Sequence, residues 1–214
     1  MLIGIIDEGI DVVAAAGGLL LTSPLLLGAA VATRVSAGRG VVYRQRRLGL
    51  GGQPFELLKF RSMRHPAPGR EAPEFDAERI TRVGTWLRAT SLDELPSLWN
   101  LLRGEITLVG PRPLPVHYWD RYVGDEYERF EVRPGITGLA QVNGRNAVDW
   151  PERLALDVTY VRTRSLRGDL RILLDTIPAV LGRSGIDQAD GVTMHELPAD
   201  RTVDSSGPMS EPTG

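Results

Sequence analysis

Val12-Val13-Ala14-Ala15-Ala16-Gly17-Gly18-Leu19-Leu20-Leu21-Thr22-Ser23-Pro24-Leu25-Leu26-Leu27-Gly28-Ala29-Ala30-Val31-Ala32-Thr33 carries no charge, and its reading decides the fold. A bilayer-spanning helix needs about 20 apolar residues, so the length qualifies. Ser23-Pro24 stands in its middle. Proline removes a backbone donor and bends a helix. In lipid the carbonyl thereby freed needs another donor, and a nearby serine or threonine hydroxyl supplies one. Three readings stay open: a kinked helix crossing the bilayer, a re-entrant helix-break-helix that dips into one leaflet and returns, and a buried helix of a soluble core. A signal peptide fits poorly, because Asp7, Glu8 and Asp11 precede the run where lysine or arginine belongs. In the spanning reading, Arg34, Arg39, Arg44, Arg46 and Arg47 hold the following domain on the cytoplasmic side.

Outward from this stretch the charge is uneven. Nine cations face one acid, Glu56, between Arg34 and Arg70, whereas the net charge of the 214 residues is −2. That balance argues against a polycationic nucleic-acid binder. With no cysteine, disulfides, thiolate catalysis and cysteine-ligated zinc are excluded. His65, His117 and His195 form no metal-spaced pair. Lys59 is the one lysine in a chain whose other cations are arginines. A compact ammonium differs physically from a guanidinium, which singles Lys59 out.

Val41 to Gln45 and Phe55 to Met63 read as two strands of a hairpin around the glycine-rich turn Leu48 to Gln53. Strand alternation would put Lys59 and Arg61 on one face. A short helix is expected over Ile80 to Arg88, and a second from about Ser91 to Leu102 that begins late or bends at Pro96. In Gly110-Pro111-Arg112-Pro113-Leu114-Pro115 the prolines stiffen the backbone, so Arg112 is preorganised for an anion. Arg133 to Asn146 is rich in glycine and asparagine, bracketed by Arg133 and Arg145, and suits backbone that closely approaches a ligand. Asp149 and Pro151 mark a helix start. Leu166, Leu170, Leu173, Leu174 and Ile177 form the stripe of an amphipathic helix. That helix packs on the core or lies on a membrane. After Ser184 the composition becomes polar and acidic, and disorder is expected.

Arg88-Ala89-Thr90-Ser91-Leu92-Asp93-Glu94-Leu95-Pro96-Ser97-Leu98 carries the chemistry. Ser91 and Glu94 have capping-box spacing, so Glu94 has a purely structural reading. In the functional reading a helix start presents Asp93 as nucleophile and Glu94 as metal ligand, both favoured by the helix dipole. Consecutive helical side chains diverge, so one carboxylate can face a phosphorus atom and the other a cation.

Taken together, Tyr43-Arg44-Gln45, Lys59-Phe60-Arg61-Ser62-Met63, Ser91-Leu92-Asp93-Glu94-Leu95-Pro96, Leu108-Val109-Gly110-Pro111-Arg112-Pro113-Leu114 and Val132-Arg133-Pro134-Gly135 through Asn146 resemble the bacterial sugar transferase family, the monotopic phosphoglycosyl transferases. The resemblance runs from about Ile10 to Ser184. It implies an α+β, helix-rich fold: an N-terminal re-entrant membrane helix (1–36), a catalytic domain with a β-hairpin and amphipathic interfacial helices (37–185), and outside it the disordered acidic tail (186–214). It implies transfer of a sugar 1-phosphate from a UDP-sugar to polyprenyl phosphate, typically undecaprenyl phosphate, with release of UMP. Asp93 is then the nucleophile, Glu94 the Mg2+ ligand, and Ser23-Pro24 the break of the membrane helix. Lys59, Arg61, Arg88, Arg112, Arg133 and Arg145 are the phosphate-binding candidates. Asp157 and Asp169 lie in family-like surroundings as second-tier residues.

Location at the bacterial inner membrane, with the catalytic domain on its cytoplasmic face, follows from the same resemblance. Besides UDP-sugar, polyprenyl phosphate and membrane lipid, downstream glycosyltransferases and a second copy of the chain are candidate partners. The acidic start departs from family members that carry basic residues there. Two rival functions are a catalytically idle membrane scaffold for glycan assembly and a membrane-bound nucleotide-sugar phosphodiesterase.

Overall fold

The computed structural model describes residues 2–69, 75–143, 149–181, 196–199 and 201. The elements in order are α1 (Leu2–Ala37), β1 (Val42–Leu48), β2 (Pro54–Phe60), α2 (Asp76–Arg79), α3 (Arg82–Ala89), α4 (Leu98–Leu102), β3 (Thr107–Val109), β4 (Gly135–Thr137), α5 (Leu139–Val142), α6 (Trp150–Thr163) and α7 (Leu166–Leu181). The fold is helix-rich with small sheets. β1 and β2 pair antiparallel, with Tyr43 opposite Lys59. β3 and β4 pair parallel, with Thr107 opposite Gly135.

The helical pattern of α1 continues through Pro24. Proline at that position cannot donate to the carbonyl of Leu20, and the Ser23 hydroxyl donates to that oxygen instead at 2.8 Å. The sequence argument for a hydroxyl beside the proline therefore holds in detail. A chain reversal at Ser23-Pro24 is not visible as an interruption of the helix. The soluble-core reading fails: Leu20 and Leu21 are 79% and 83% exposed, and only 11% of the most apolar window within Glu8–Ala37 is buried. One face of α1 does pack on the domain. Asp11, Ala15, Ala29, Thr33 and Ala37 are buried along it, at the spacing of a single helical stripe.

Asp11 fixes the early end of that stripe. Its carboxylate accepts from the Thr107 hydroxyl at 2.8 Å and from the Leu108 amide at 3.0 Å. Arg133 lies 3.5 Å from it. Asp11, one of the acids near the start of the chain, is thus turned inward onto β3, while Glu8 stays exposed.

Glycines let backbones pass closely here. A Cβ at Gly135 would lie 2.1 Å from the Gly110 nitrogen, and one at Gly84 1.9 Å from the Ser62 carbonyl oxygen. Each contact is backbone on backbone, so neither can yield by rotating a side chain. Thr81 caps α3 by accepting from the Gly84 amide at 2.9 Å, and Asp149 caps α6 by accepting from Glu152 at 2.9 Å, both as Ncap chemistry requires. Around Trp119 and Tyr122 the chain forms two 3-10 turns, Val116–Arg121 and Gly124–Phe130. Tyr118, Tyr122 and Phe130 from this region join Leu48, Leu114, Trp150 and Leu154 in one core cluster.

Leu197 is fully buried in the same cluster, and Arg201 pairs with Glu126. Most of the expected disordered tail lies outside the described residues, but this segment is packed. Composition missed it because one apolar side chain, with Arg121 on Glu196 and Arg201 on Glu126, suffices to dock a short polar segment. On α7 the apolar stripe faces outward. Leu166, Leu170, Leu174 and Ile177 are exposed, while Leu173 packs against the cluster of Val109, Tyr160 and Ile172, so only one member of the stripe serves the core.

Candidate active site

Glu94 is the meeting point of three segments distant in sequence. Its Oε1 accepts from Lys59 Nζ at 2.7 Å and from Arg112 Nη2 at 2.8 Å. Lys59 comes from β2. Asn100, fully buried, grips that strand by accepting from the Leu58 amide at 3.0 Å and donating to the Glu56 carbonyl at 2.7 Å. It therefore acts on β2 as a third strand would, and fixes the height of Lys59. Arg112 comes from the proline-flanked segment that follows β3.

Asp93 and Glu94 lie in a 3-10 turn, Leu92–Ser97, that precedes α4. The expected helix thus begins late, after Pro96. Ser91 has φ 57°, the one non-glycine positive φ among the described residues. A left-handed serine costs on the order of 1–3 kcal/mol, and such strain gathers at functional sites. The capping-box reading fails here: Ser91 makes no side-chain cap, and the Glu94 carboxylate turns to the two cations instead. The dipole argument weakens as well, since six residues of 3-10 turn offer little aligned dipole. Side-chain cations hold the charge.

The two carboxylates are driven apart in acidity. Burial alone would raise Glu94, but Arg112 and Lys59 more than offset it and hold the group far below the usual carboxylate range. Asp93 moves the other way. Burial raises it, Glu94's negative charge adds to that, and Lys59, Arg88 and Arg112 only partly oppose. Adjacent acids with opposite displacements suit two different roles. An ionised Asp93 is thus more basic than an ordinary aspartate.

Other expected ligands are placed as follows. Arg88 Nε donates to the Ser62 hydroxyl at 2.8 Å and contributes to the field at Asp93. Arg61 lies past the end of β2, so strand alternation no longer applies to it. It donates to the Gly40 carbonyl at 2.7 Å and meets His65 at 3.2 Å, away from Glu94's contacts. Arg133 is engaged by Asp11 at 3.5 Å and Glu8 at 3.8 Å, so its placement ties α1 to the domain. Arg145 lies outside the described residues. Asp157 and Asp169 are internal. Asp157 pairs with Arg129 at 2.8 Å, and Asp169 accepts from the Tyr160 hydroxyl at 2.9 Å.

Arg47, read from the sequence only as one of the cations after the apolar run, belongs to the site. It lines the crevice with Lys59, Glu94, Ser97, Arg112 and Pro113, and donates to the Pro113 carbonyl at 3.1 Å. Burial, reinforced by the like charge of Arg112, pulls its guanidinium down to about 10. Its position beside Arg46 in a strand of alternating sides was the available signal. The crevice is thus rich in positive charge and suited to an anion.

Among the described residues no group of three or more His, Asp or Glu side chains could cage a metal. Magnesium, however, is commonly held by one or two carboxylates together with substrate phosphates. Glu94 fits that mode through its second carboxylate oxygen, since Lys59 and Arg112 both meet Oε1.

Residues 4–183 match the sequence profile described as Bacterial sugar transferase. The chain is 42% identical over 195 residues to the uncharacterized sugar transferase EpsL of Bacillus subtilis (strain 168), covering 91% of this chain and 96% of that protein. It is 45% identical over 182 residues to a UDP-glucose:undecaprenyl-phosphate glucose-1-phosphate transferase of Caulobacter vibrioides, covering 80% and 68%. The exopolysaccharide production protein ExoY of Rhizobium meliloti is 41% identical over 194 residues, covering 83% and 86%. The matched span takes in α1, the hairpin and the Asp93-Glu94 turn together with both cations on Glu94, and the chain belongs to the bacterial sugar transferase family.

Proposed function

We propose that the chain is a membrane-bound phosphoglycosyl transferase that moves a sugar 1-phosphate from a UDP-sugar to undecaprenyl phosphate. The observation that carries this reading is the Asp93-Glu94 pair, with Glu94 clamped between Lys59 and Arg112 at 2.7 and 2.8 Å. The Caulobacter relative is named for this reaction with UDP-glucose. Two phosphate substrates repel each other, so direct attack of one on the other is slow. A carboxylate nucleophile divides the reaction into two displacements.

In the first displacement an Asp93 oxygen bonds the phosphorus that bears the sugar. The bond from that phosphorus to the bridging oxygen breaks, and UMP leaves with the electron pair. In the second, a phosphate oxygen of the lipid bonds the same phosphorus. The Asp93 oxygen leaves, which restores the carboxylate and yields the lipid diphosphate sugar. Lys59, Arg112 and Arg47 offset the charge of the phosphates, and Arg88 steadies Asp93. Glu94 would hold Mg2+, which when bound supplies charge neutralisation at the diphosphate.

A monotopic arrangement of α1 belongs to the same reading. Burial of α1 side chains from Asp11 to Ala37 against the domain supports this arrangement. The exposed apolar faces of α1 and α7 then meet lipid, and both ends of α1 lie on the cytoplasmic side. Glycan assembly is the process such a product feeds.

The test is UMP release from a panel of UDP-sugars in membranes with and without undecaprenyl phosphate. Lipid-dependent UMP release supports the reading. Free sugar phosphate formed without the lipid would replace it with a phosphodiesterase, and no turnover of any UDP-sugar would leave a scaffold.

A further inference from the structure

Pro111, Pro113 and Pro115 remove three backbone donors from the segment that carries Arg112, yet every residue there keeps its carbonyl. The segment cannot satisfy those oxygens itself, and the fold supplies donors one by one. Pro111 O accepts from the Gly135 amide at 2.9 Å, and Leu114 O from the Leu48 amide at 2.9 Å. Between them, Pro113 O accepts from Arg47 at 3.1 Å and Arg112 O from Arg129 Nη2 at 2.7 Å. Four consecutive carbonyls are thereby held from outside.

Arg129 is the deepest of these donors, only 3% exposed. Its other contacts are internal as well: Asp157 Oδ2 at 2.8 Å and 3.2 Å, and the Tyr122 hydroxyl at 3.2 Å. Asp157 is 2% exposed. A buried ion pair is weak as a source of stability, because apolar side chains of similar volume usually do as well. What it provides is a fixed location for a donor. Removing Asp157 would leave a buried cation free to seek another anion, and the Arg112 carbonyl would lose its anchor.

We propose that Arg129, oriented by Asp157, is a positioning residue for Arg112. It fixes the peptide from which the Arg112 guanidinium reaches Glu94 and, in the reaction, the substrate phosphates. The proposal rests on the reading of Arg112 as a phosphate-binding residue. Arg129 donates to Asp157, Tyr122 and the Arg112 carbonyl, and to neither Asp93 nor Glu94. Its effect must therefore pass through Arg112, and a double-mutant cycle reads that directly.

The full chain in nanodiscs containing undecaprenyl phosphate is compared as wild type, Arg112→Lys, Arg129→Lys and the double variant. Arg129→Lys is expected to lower kcat/KM by about 10- to 100-fold, the scale on which a small misplacement acts. In the Arg112→Lys background the same change should cost less than about 3-fold, since there is no longer a fork to aim. Loss of folded protein alone would lower apparent kcat with KM unchanged, and equally in both backgrounds. Equal losses in the two backgrounds, or wild-type rates in Arg129→Lys, would overturn the proposal.

Should Arg129→Lys not fold, Tyr122→Phe removes one Arg129 contact at nearly constant volume and is read in the same cycle. The cycle is repeated with UDP affinity by calorimetry, which needs no turnover. Absence of UMP release by the wild type would reject the reaction itself. Coupling in UDP affinity would still support the role of Arg129, and its absence would reject that role.

Discussion

Replacing Asp93 by Asn and, separately, Glu94 by Gln removes one negative charge from each of two adjacent residues, and the two changes are predicted to move stability in opposite directions. Glu94 accepts two charge-assisted hydrogen bonds, at 2.7 and 2.8 Å, from side chains 14% and 39% exposed. Such bonds are worth about 1.5–3 kcal/mol each. The Arg112 bond counts at the low end because of its exposure, and Gln keeps one neutral bond. Glu94→Gln should therefore cost about 2–3 kcal/mol, or about 4–12 °C in Tm for a chain of this size. Asp93 is held above the ordinary carboxylate range by burial and by Glu94, so its ionised form opposes folding at neutral pH. Asp93→Asn should raise stability by about 0.5–2 kcal/mol, as relief of a functional site commonly does.

The pH dependence carries the same signs. The Glu94 contribution is present above its unfolded value of about 4.3 and is lost as pH falls from there toward its depressed folded value. The Asp93 penalty sets in as pH rises from about 3.9 and is complete above its raised folded value. Thermal unfolding at pH 7.5, followed by the fluorescence of the four tryptophans, measures both variants, and both should lose activity. A fall in Tm for Asp93→Asn would refute the electrostatic picture of the pair.

Gly84→Ala should lower Tm and kcat together, because its Cβ would meet the Ser62 carbonyl oxygen at 1.9 Å and displace the residue that holds Arg88. Thermal unfolding alongside UMP release checks this. Leu197→Ala should destabilise by about 2–5 kcal/mol, the range for a fully buried leucine, as measured by urea unfolding. Unchanged stability would mean that the 196–199 segment is not docked in solution. Asp11→Leu removes the acceptor of Thr107 and Leu108 and the carboxylate beside Arg133. It should lower stability by about 3–5 kcal/mol, since it leaves a mostly buried cation without its nearest partner. For catalysis, the acid limb of kcat/KM should lie above the ordinary aspartate value of about 3.9, because Asp93 is raised.

Local chemistry was legible in the sequence wherever it had one cause. Ser23 beside Pro24 announced its own hydrogen bond, Asp149 announced a cap, and alternation around the glycine turn announced the hairpin. The site was legible as residue types: a carboxylate pair, the lone lysine and a rigid arginine. What stayed hidden depends on pairs that meet across the chain. Arg133 carried the marks of a phosphate ligand, and only the contact with Asp11, more than a hundred residues earlier, shows that it also ties α1 to the domain. Arg129 and Asp157 lie in separate helical segments, and nothing local links either to the Arg112 carbonyl. The α7 periodicity identified an amphipathic helix but not its orientation, because an apolar stripe has the same spacing against protein or lipid. Ser91 and Glu94 misled for a related reason: capping-box spacing is necessary for that motif, but two nearby cations outcompeted the backbone amide.

The covalent step is tested most directly on the peptide that holds it. Wild-type protein is incubated with its UDP-sugar without undecaprenyl phosphate, quenched and digested with trypsin. The fragment from Ala89 to Arg103 carries both carboxylates, and fragmentation in the mass spectrometer separates Asp93 from Glu94. A phosphosugar on Asp93 that disappears when the lipid is added is the predicted result. An unmodified Asp93 under conditions that release UMP, or the adduct on another side chain, would contradict it.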